Sequence, residues 1–322
     1  MADSNYLKNI VLVGASGNVG SPTLKHLLAS DRAFTITVLS RADSSSTFPT
    51  HPSLTVQKGS YDDPAFLESV FQNQDAVLLA LGFRGMAEQA KLITAAAKAG
   101  VKYILPTEYA GDGLNKEMME GVPVFHPKVQ ARKQIEEAGS TWIGIATNPW
   151  ADQSLRLGLT GIKLFEKKAV MYKDSGKFNM STLEQVGLGI ARLLALPIRN
   201  AEKKRASLGY YENNFVYLSS FSVTQKRVWE AALKATGTGE GEWTVEEDTV
   251  EDWIRRSREM LGRGEMMGAM GLTFAYYLGE GLGGDYQSKA VEDLEVLGMK
   301  EEDFDAVVKA EVDKGPKPQM HG

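Results

Sequence analysis

Three glycines near the start of the chain have the spacing of a backbone turn that could hold a phosphate group. Gly14, Gly17 and Gly20 form the pattern G-x-x-G-x-x-G directly after the apolar run from Ile10 to Val13. Such a turn brings backbone close to a pyrophosphate, and the N-terminus of the following helix favours an anion. The sequence therefore predicts a dinucleotide site, although an ordinary strand–helix turn is the alternative. The candidate contacts are Gly14, Ser16, Gly17, Asn18, Val19 and Gly20.

The end of the second predicted strand indicates which dinucleotide would bind. NAD-binding versions of the turn usually place an acidic residue there, where it holds the ribose 2′-hydroxyl. Here the position is occupied by Ser40 and Arg41, and no acid occurs before Asp43. A guanidinium can grip a 2′-phosphate with paired hydrogen bonds and stack on the adenine. We interpret Arg41 as a selector for NADP, with a solvated surface arginine as the alternative.

Lys128 has the position best suited to acid–base chemistry. Pro127 suits the first position of a helix, which puts Lys128 in the first helical turn. The positive end of a helix disfavours a further positive charge, so the pKa of this lysine should fall toward neutrality. A lysine of this kind could orient the nicotinamide ribose and stabilise or protonate a developing oxyanion. An exposed lysine beside Arg132 and Lys133 is an equally open interpretation.

Other candidates follow predicted strands, at the edge where parallel sheets bind ligands. Gly82 would let backbone pass close to a cofactor, and Phe83 could cover it. Three residues could contact a substrate, and each has a purely structural alternative as a turn brace, a helix cap or a core residue. They are Tyr109, His126 and Trp150. The Tyr-x-x-x-Lys pair of ordinary short-chain dehydrogenases occurs nowhere in the chain.

A doubly wound parallel sheet is the element pattern that would position these residues. Strand-like runs alternate with helical patterns through the first half of the chain, which predicts the α/β class and a Rossmann fold. The six runs are 10–13, 35–39, 54–56, 76–81, 103–105 and 141–146. We expect an NADP-binding domain over 1–150 and a smaller substrate-binding region over 151–322. Within the latter, 180–197 should pack back on the sheet, and 214–218 is a later strand.

The segment 260–286 is rich in glycine and methionine. Glycine makes backbone permissive, and methionine adapts to irregular apolar surfaces. The segment predicts a mobile flap over the substrate pocket, with Phe274 as a further substrate contact. A glycine-rich packing segment between helices is the alternative.

Composition excludes several classes of function. The chain has 322 residues and a net charge of −5, which argues against nucleic acid or an acidic membrane surface as the main partner. It has no cysteine, so disulfides, thiolate catalysis and zinc–sulfur sites are excluded. Its four histidines lack metal-ligand spacing, and no metal site is expected. No secretory signal and no membrane-spanning run are visible, so we expect a cytoplasmic monomer or homodimer that acts on a small molecule.

Three segments together resemble a known group of proteins. Residues 14–20 (GASGNVG), 106–112 (PTEYAGD) and 125–128 (FHPK) look like motifs of the NmrA-like, isoflavone reductase-like branch of atypical short-chain dehydrogenases/reductases, which includes the phenylcoumaran benzylic ether reductases. The resemblance is strongest over 10–149. It implies NADPH, a catalytic role for Lys128, and an aromatic substrate beside a variable C-terminal region. It also implies that Gln89 and Asn148 lie near the cofactor.

The sequence departs from this family at several places. Tyr109 stands where phenylalanine is usual, the residues after Asn148 differ from the plant pattern, and 237–285 matches poorly. Because that last region would shape the substrate pocket, plant substrates do not carry over.

Three functions remain after these considerations. The leading hypothesis is an NADPH-dependent reductase of a small aromatic, secondary-metabolite-type molecule, with hydride transfer from the nicotinamide C4 assisted by Lys128. The second is a regulator of NmrA type that senses redox state by binding NAD(P) without turnover. The third is a redox-neutral biosynthetic enzyme on the same scaffold.

Overall fold

The computed structural model describes residues 5–316, apart from the side chain of Arg84. In chain order the strands are β1 (Asn9–Val13), β2 (Thr35–Arg41), β3 (Leu54–Gly59), β4 (Ala76–Leu79), β5 (Tyr103–Leu105), β6 (Thr141–Ala146), β7 (Ile162–Lys163), β8 (Lys168–Tyr172), β9 (Lys177–Met180), β10 (Asn214–Tyr217), β11 (Phe221–Thr224) and β12 (Thr244–Asp248). The α-helices are α1 (Gly20–Leu28), α2 (Pro64–Phe71), α3 (Gln89–Lys98), α4 (Lys116–Gly121), α5 (His126–Glu137), α6 (Ala151–Leu157), α7 (Leu183–Leu194), α8 (Gln225–Thr236), α9 (Val250–Gly262), α10 (Met266–Leu278), α11 (Gln287–Val296) and α12 (Phe304–Asp313).

A seven-stranded parallel sheet in the order β10-β6-β5-β4-β1-β2-β3 forms the centre of the molecule. The six predicted strands are confirmed, and the order reverses direction at β1, as it does in doubly wound folds. The seventh strand, β10, comes from the later run at 214–218 and pairs with β6. The sheet thus draws on residues from both sides of position 150.

Helices cover both faces of the sheet, which explains why its strands are apolar on both sides. One face carries α1 and α7, whose Leu24, Leu27 and Ile190 join a buried cluster with the inner strands. The other face carries α2, α3, α5 and α11. Helix α7 lies so close to α1 that a Cβ added at Gly187 would be 2.5 Å from the Pro22 carbonyl carbon.

The remaining elements form a second apolar cluster with its own small sheets. Strands β12, β8 and β7 make a three-stranded sheet, and β9 pairs with β11. Sequence patterning did not identify β7, β8, β9, β11 or β12, because each is short and flanked by polar residues. Met266–Leu278 is a helix packed on α9, so the packing alternative for the glycine-rich segment describes this part. A Cβ at Gly268 would meet the Ser257 carbonyl oxygen at 2.5 Å.

Within residues 5–316, no helix is both long and apolar enough to cross a membrane.

Candidate active site

The turn between β1 and α1 has the geometry that its glycines predict. Gly14 has a φ of +81°, and a Cβ there would lie 2.2 Å from the Ala80 carbonyl oxygen at the end of β4. A Cβ on Gly20 would lie 2.1 Å from the Gly14 carbonyl oxygen. No side chain of the described residues caps the N-terminus of α1, a helix end that favours an anion, although the Ser21 N–H already donates to the Gly17 carbonyl at 2.9 Å. The turn and helix are therefore built so that only glycine fits at both ends.

A cleft of about 750 Å³ opens beside this turn, along the carboxyl ends of β1, β2, β3 and β4. Six of the predicted residues border it, namely Gly14, Ser16, Gly17, Arg41, Gly82 and Phe83. Gly82 leaves open space, since a Cβ there would meet nothing within 4 Å. The Phe83 ring is 80% exposed. The cleft therefore offers a glycine-walled passage with an exposed aromatic ring at one side.

Arg41 lies at the β2 end of the cleft with a loosely held guanidinium. Its side chain is 66% exposed, and its Nε lies 3.7 Å from Asp43 Oδ1. Screening by water makes an exposed pair at this distance worth little. The Arg41 donors can thus turn toward a ligand at small cost.

Sequence reasoning missed several residues that border the cleft. Tyr61 follows β3, and its hydroxyl donates to the Leu39 carbonyl at 3.4 Å. Burial raises the pKa of Tyr61 to about 12, and nearby Arg41 opposes the shift. Ser46 donates to Ser16 Oγ at 3.0 Å, which ties the loop after β2 to the glycine turn. The strand-end rule that pointed to Arg41 would have found Tyr61 if applied to β3.

Lys128 lies beyond the carboxyl end of β5, on the first turn of α5. Its Nζ donates to the carbonyl oxygens of Thr107 at 2.6 Å and Glu108 at 2.7 Å. The helix begins at His126, one residue earlier than the sequence indicated. The half-buried ammonium therefore sits at the edge of the sheet, held by two backbone carbonyls.

The pKa of Lys128 is lowered, in the direction that the sequence predicted. Burial, which removes the charge from water, is the largest cause. The carboxylate of Glu108 opposes the shift, and the guanidinium of Arg132 adds to it. Desolvation, which the sequence did not predict, is thus the main cause of the shift.

Arg132 and Glu108 fix the loop that holds Lys128. Arg132 lies one turn after Lys128 on α5, and its Nη1 donates to Glu108 Oε1 at 2.6 Å. Its Nη2 donates to the Gly113 carbonyl at 3.1 Å. Both side chains of the ion pair are buried. Residues 107–113 are therefore attached to α5 at three points, counting the Lys128 bonds as one.

Thr107 connects the Lys128 region to the cleft. Its hydroxyl donates to the Leu79 carbonyl at 3.0 Å and accepts from the Leu81 N–H at 3.4 Å. Gln89 accepts from the Thr107 N–H at 2.8 Å and is buried, without bordering the cleft. The ends of β4 and β5 are thus joined, so Lys128 is connected through Thr107 to the strand end at the cleft, although Lys128 itself does not border the cleft.

Asn148 lies on the neighbouring loop after β6, in a left-handed conformation with a φ of +50°. Its N–H donates to the Ala110 carbonyl, and its Nδ2 donates to the Gly284 carbonyl at 2.6 Å. Its Oδ1 is buried and has no partner within the described part of the chain. Trp150 donates from Nε1 to Thr147 at 3.1 Å and is half-buried. Asn148 therefore joins the C-terminal segment to the sheet edge.

The structure places the other predicted residues in different surroundings. Tyr109 is buried, and its hydroxyl has no hydrogen-bond partner among residues 5–316. His126 is exposed at the start of α5. Phe274 is buried on α10, edge-on to Tyr277 at 5.6 Å. Three predicted cofactor contacts after the glycine turn do not border the cleft. They are Asn18, Val19 and Gly20.

No group of three or more His, Asp or Glu side chains in the described ranges could hold a metal ion.

Comparison with known proteins gives one family and several relatives of similar length. Residues 7–171 match the NmrA-like family. The oxidoreductase aprR of Aspergillus flavus is 27% identical over 304 residues, which cover 93% of this chain and 97% of that protein. The oxidoreductase poxI of Penicillium oxalicum is 29% identical over 307 residues, which cover 91% and 90%.

A solved structure, AtPrR2 with NADP+ and (+)pinoresinol, has a similar fold. Its TM-score is 0.72 at 19% identity, over 95% of this chain and 98% of that chain. The likeness therefore extends beyond the central sheet to the C-terminal elements.

Proposed function

The chain belongs to the NmrA-like family, and from this premise we propose that it is an NADPH-dependent reductase of a small aromatic molecule. The observation that carries the proposal is Lys128, whose pKa is lowered and whose Nζ binds the carbonyl of Thr107. The Thr107 hydroxyl in turn accepts from the N–H of Leu81, which borders the glycine-rich cleft. Relatives along nearly the whole chain are named oxidoreductases. The similar solved structure holds NADP+.

The residues of the cleft fit a dinucleotide phosphate. The uncapped N-terminus of α1 and the Gly14–Gly17 turn would hold the pyrophosphate, and Arg41 would hold the 2′-phosphate. Open space at Gly82 would admit the part of the cofactor that leads toward β5. When bound, NADPH supplies a hydride from C4 of its nicotinamide to the acceptor carbon and becomes NADP+.

Lys128 would stabilise the negative charge that forms on the substrate and donate a proton to it. An acceptor that gains a hydride at carbon gains an electron pair at its neighbouring oxygen, and a nearby ammonium stabilises that charge. Because burial lowers the pKa of Lys128, its proton is released more easily than that of an exposed lysine. Lys128 therefore suits delivery of one proton to the oxygen, directly or through water.

The substrate would lie between the ends of β5 and β6 and the C-terminal segment. Tyr109, Trp150 and Phe274 would supply its aromatic contacts, and His126 a polar one. Of these, His126 is exposed and Trp150 is half-buried, whereas Tyr109 and Phe274 are buried. Asn148 supports the proposal as a cofactor contact, because its buried Oδ1 lacks a partner within residues 5–316. Aromatic contacts favour a flat aromatic substrate of the secondary-metabolite type.

The test is NADPH oxidation with a panel of aromatic ketones and quinones, in the wild type and in Lys128→Ala. We expect kcat to fall by about 10²–10⁴-fold in the variant, because a positioned proton donor contributes that much. The affinity for NADPH, measured by fluorescence titration, should be retained.

Lys133→Ala is the matched control, since Lys133 lies on the same helix with a 66% exposed side chain. Its rates should equal those of the wild type. Cofactor binding without turnover on any panel member would contradict the reductase and favour a redox sensor. Substrate conversion without NADPH consumption would favour a redox-neutral enzyme.

A further inference from the structure

Tyr109 is a buried tyrosine whose hydroxyl is left without a hydrogen bond. The residue is 7% exposed, and no other group in the described part of the chain lies within bonding distance of its hydroxyl. Buried hydroxyls are normally paired, because an unpaired one loses its bonds to water without replacement. Such an atom in a folded protein needs an explanation, and an absent ligand is one.

Several other buried tyrosines in the fold have a paired hydroxyl. Four such hydroxyls bond to a carboxylate or a backbone carbonyl, at 2.8–2.9 Å. They belong to Tyr103, Tyr211, Tyr217 and Tyr286. Tyr109 thus differs from these four tyrosines.

The backbone of Tyr109 adjoins the carbonyl group that Lys128 binds. Lys128 Nζ donates at 2.7 Å to the Glu108 carbonyl, which belongs to the peptide bond that joins Glu108 to Tyr109. The Tyr109 side chain does not border the cleft, but it belongs to the buried cluster that includes the cleft residues Ala15 and Ala80. The next residue, Ala110, accepts from the N–H of Asn148, whose Oδ1 is also unpaired within residues 5–316. Two unpaired polar atoms thus lie on loops that are bonded to each other.

The hydroxyl has the chemistry of a permanent donor. Burial, reinforced by the charge of Glu108, raises the pKa of Tyr109 far above its ordinary value. A phenol of this kind stays protonated at physiological pH and donates a hydrogen bond without transferring its proton.

We propose that the Tyr109 hydroxyl binds the oxygen atom of the substrate's reacting group, and so selects acceptors that carry oxygen, such as aromatic carbonyls and quinones. The proposal rests on the proposed function for the identity of the reaction. Tyr109 acts as a specificity-determining donor, and Lys128 remains the source of the proton.

The test compares Tyr109→Phe with Tyr211→Phe. Each variant removes one buried hydroxyl and keeps the ring. Tyr211 donates at 2.9 Å to Asp293, which is fully buried and far from the site in sequence. Without ligand, Tyr109→Phe should melt at or above the wild-type temperature, because it loses an unpaired group. Tyr211→Phe should melt lower, because Asp293 loses a donor.

Binding of 4-nitrophenol, measured by calorimetry with NADP+ present, tests the ligand directly. In Tyr109→Phe the Kd of this probe should rise about tenfold, the value of one hydrogen bond. The Kd for NADP+ should not change, and Tyr211→Phe should bind the probe as the wild type does. With 1,4-naphthoquinone and NADPH, kcat/KM should fall in Tyr109→Phe alone.

Each of these binding and stability results would overturn the inference: no binding of 4-nitrophenol to the wild type, equal binding to wild type and Tyr109→Phe, or a fall in melting temperature of Tyr109→Phe that matches Tyr211→Phe. Failure of the proposed reductase function would give a different set of results. In that case the probe still binds through Tyr109, but no panel member consumes NADPH. Conversely, quinone reduction that Tyr109→Phe leaves unchanged would reject this inference and keep the reductase.

Discussion

Two arginines near the site show how surroundings decide the role of a residue. Arg132 is buried, bonds to Glu108 at 2.6 Å, and lies over the rings of Trp142 and Phe215. Arg41 is mostly exposed, with its carboxylate neighbour at 3.7 Å. A buried charge needs its partner, whereas an exposed one is free to bind a ligand. Arg132 therefore supports the site, and Arg41 is available to a cofactor.

Replacing Arg41 by alanine should weaken NADPH binding selectively. Charge-assisted hydrogen bonds to a phosphate contribute about 1.5–3 kcal/mol, so we expect the Kd for NADPH to rise about 10- to 100-fold. NADH lacks the 2′-phosphate, and its Kd should barely change. Calorimetric titration of both cofactors measures the difference, with the exposed Arg263→Ala as control. Equal weakening of NADH and NADPH would show that Arg41 does not select the phosphate.

At the scale of elements, β1, the glycine turn and α1 act as one unit against the end of β4. Gly14 and Gly100 have almost the same positive φ, +81° and +80°. Their surroundings differ. A Cβ at Gly14 would press on the Ala80 carbonyl at 2.2 Å, and a Cβ at Gly100 would meet nothing within 4 Å. Comparing alanine substitutions at these two glycines therefore separates the free energy lost to the positive φ from the free energy lost to the contact with Ala80.

Gly14→Ala should therefore destabilise the protein far more than Gly100→Ala. Both variants bear the left-handed strain of about 1–2 kcal/mol. Only Gly14→Ala adds overpacking, typically about 1–3 kcal/mol more. Urea unfolding followed by circular dichroism gives both free energies of unfolding. Equal losses in the two variants would mean that the β1 turn tolerates a methyl group and that its close contact with β4 is unimportant.

At the scale of the whole molecule, the residues before position 150 draw part of their core from the residues beyond it. Strand β10 extends the central sheet beyond β6, in register from Asn214 opposite Ile143 to Tyr217 opposite Ala146. Helix α7 contributes Ile190, Leu193 and Leu194 to the cluster under α1. These elements come from the region beyond 150, yet they complete the layer structure of the residues before it.

A fragment of residues 1–150 should consequently fail to fold on its own. Burying each of the three α7 side chains is worth about 1.5–3 kcal/mol, and their sum approaches the total net stability of about 5–15 kcal/mol for a typical domain. The fragment would also expose the unpaired edge of β6. Thermal unfolding by circular dichroism should show no cooperative transition, unlike the full chain. A cooperative transition in the fragment would establish 1–150 as an independent domain.

The sequence by itself determined the features that depend on neighbouring residues. Six strands, the turn from Gly14 to Gly20 and the helix that carries Lys128 all follow from apolar runs, glycine spacing and a well-placed proline. These are local properties of the chain, so periodicity and backbone chemistry suffice to predict them.

Tertiary structure alone decided how those pieces meet. Lys128 binds carbonyls 20 and 21 residues away, and Asn148 binds Gly284 across 136 residues. The seventh strand, the Tyr61 wall of the cleft and the unpaired hydroxyl of Tyr109 likewise depend on distant segments. Local patterns do not encode such contacts, because they arise from the packing of helices and loops whose relative positions the whole core fixes.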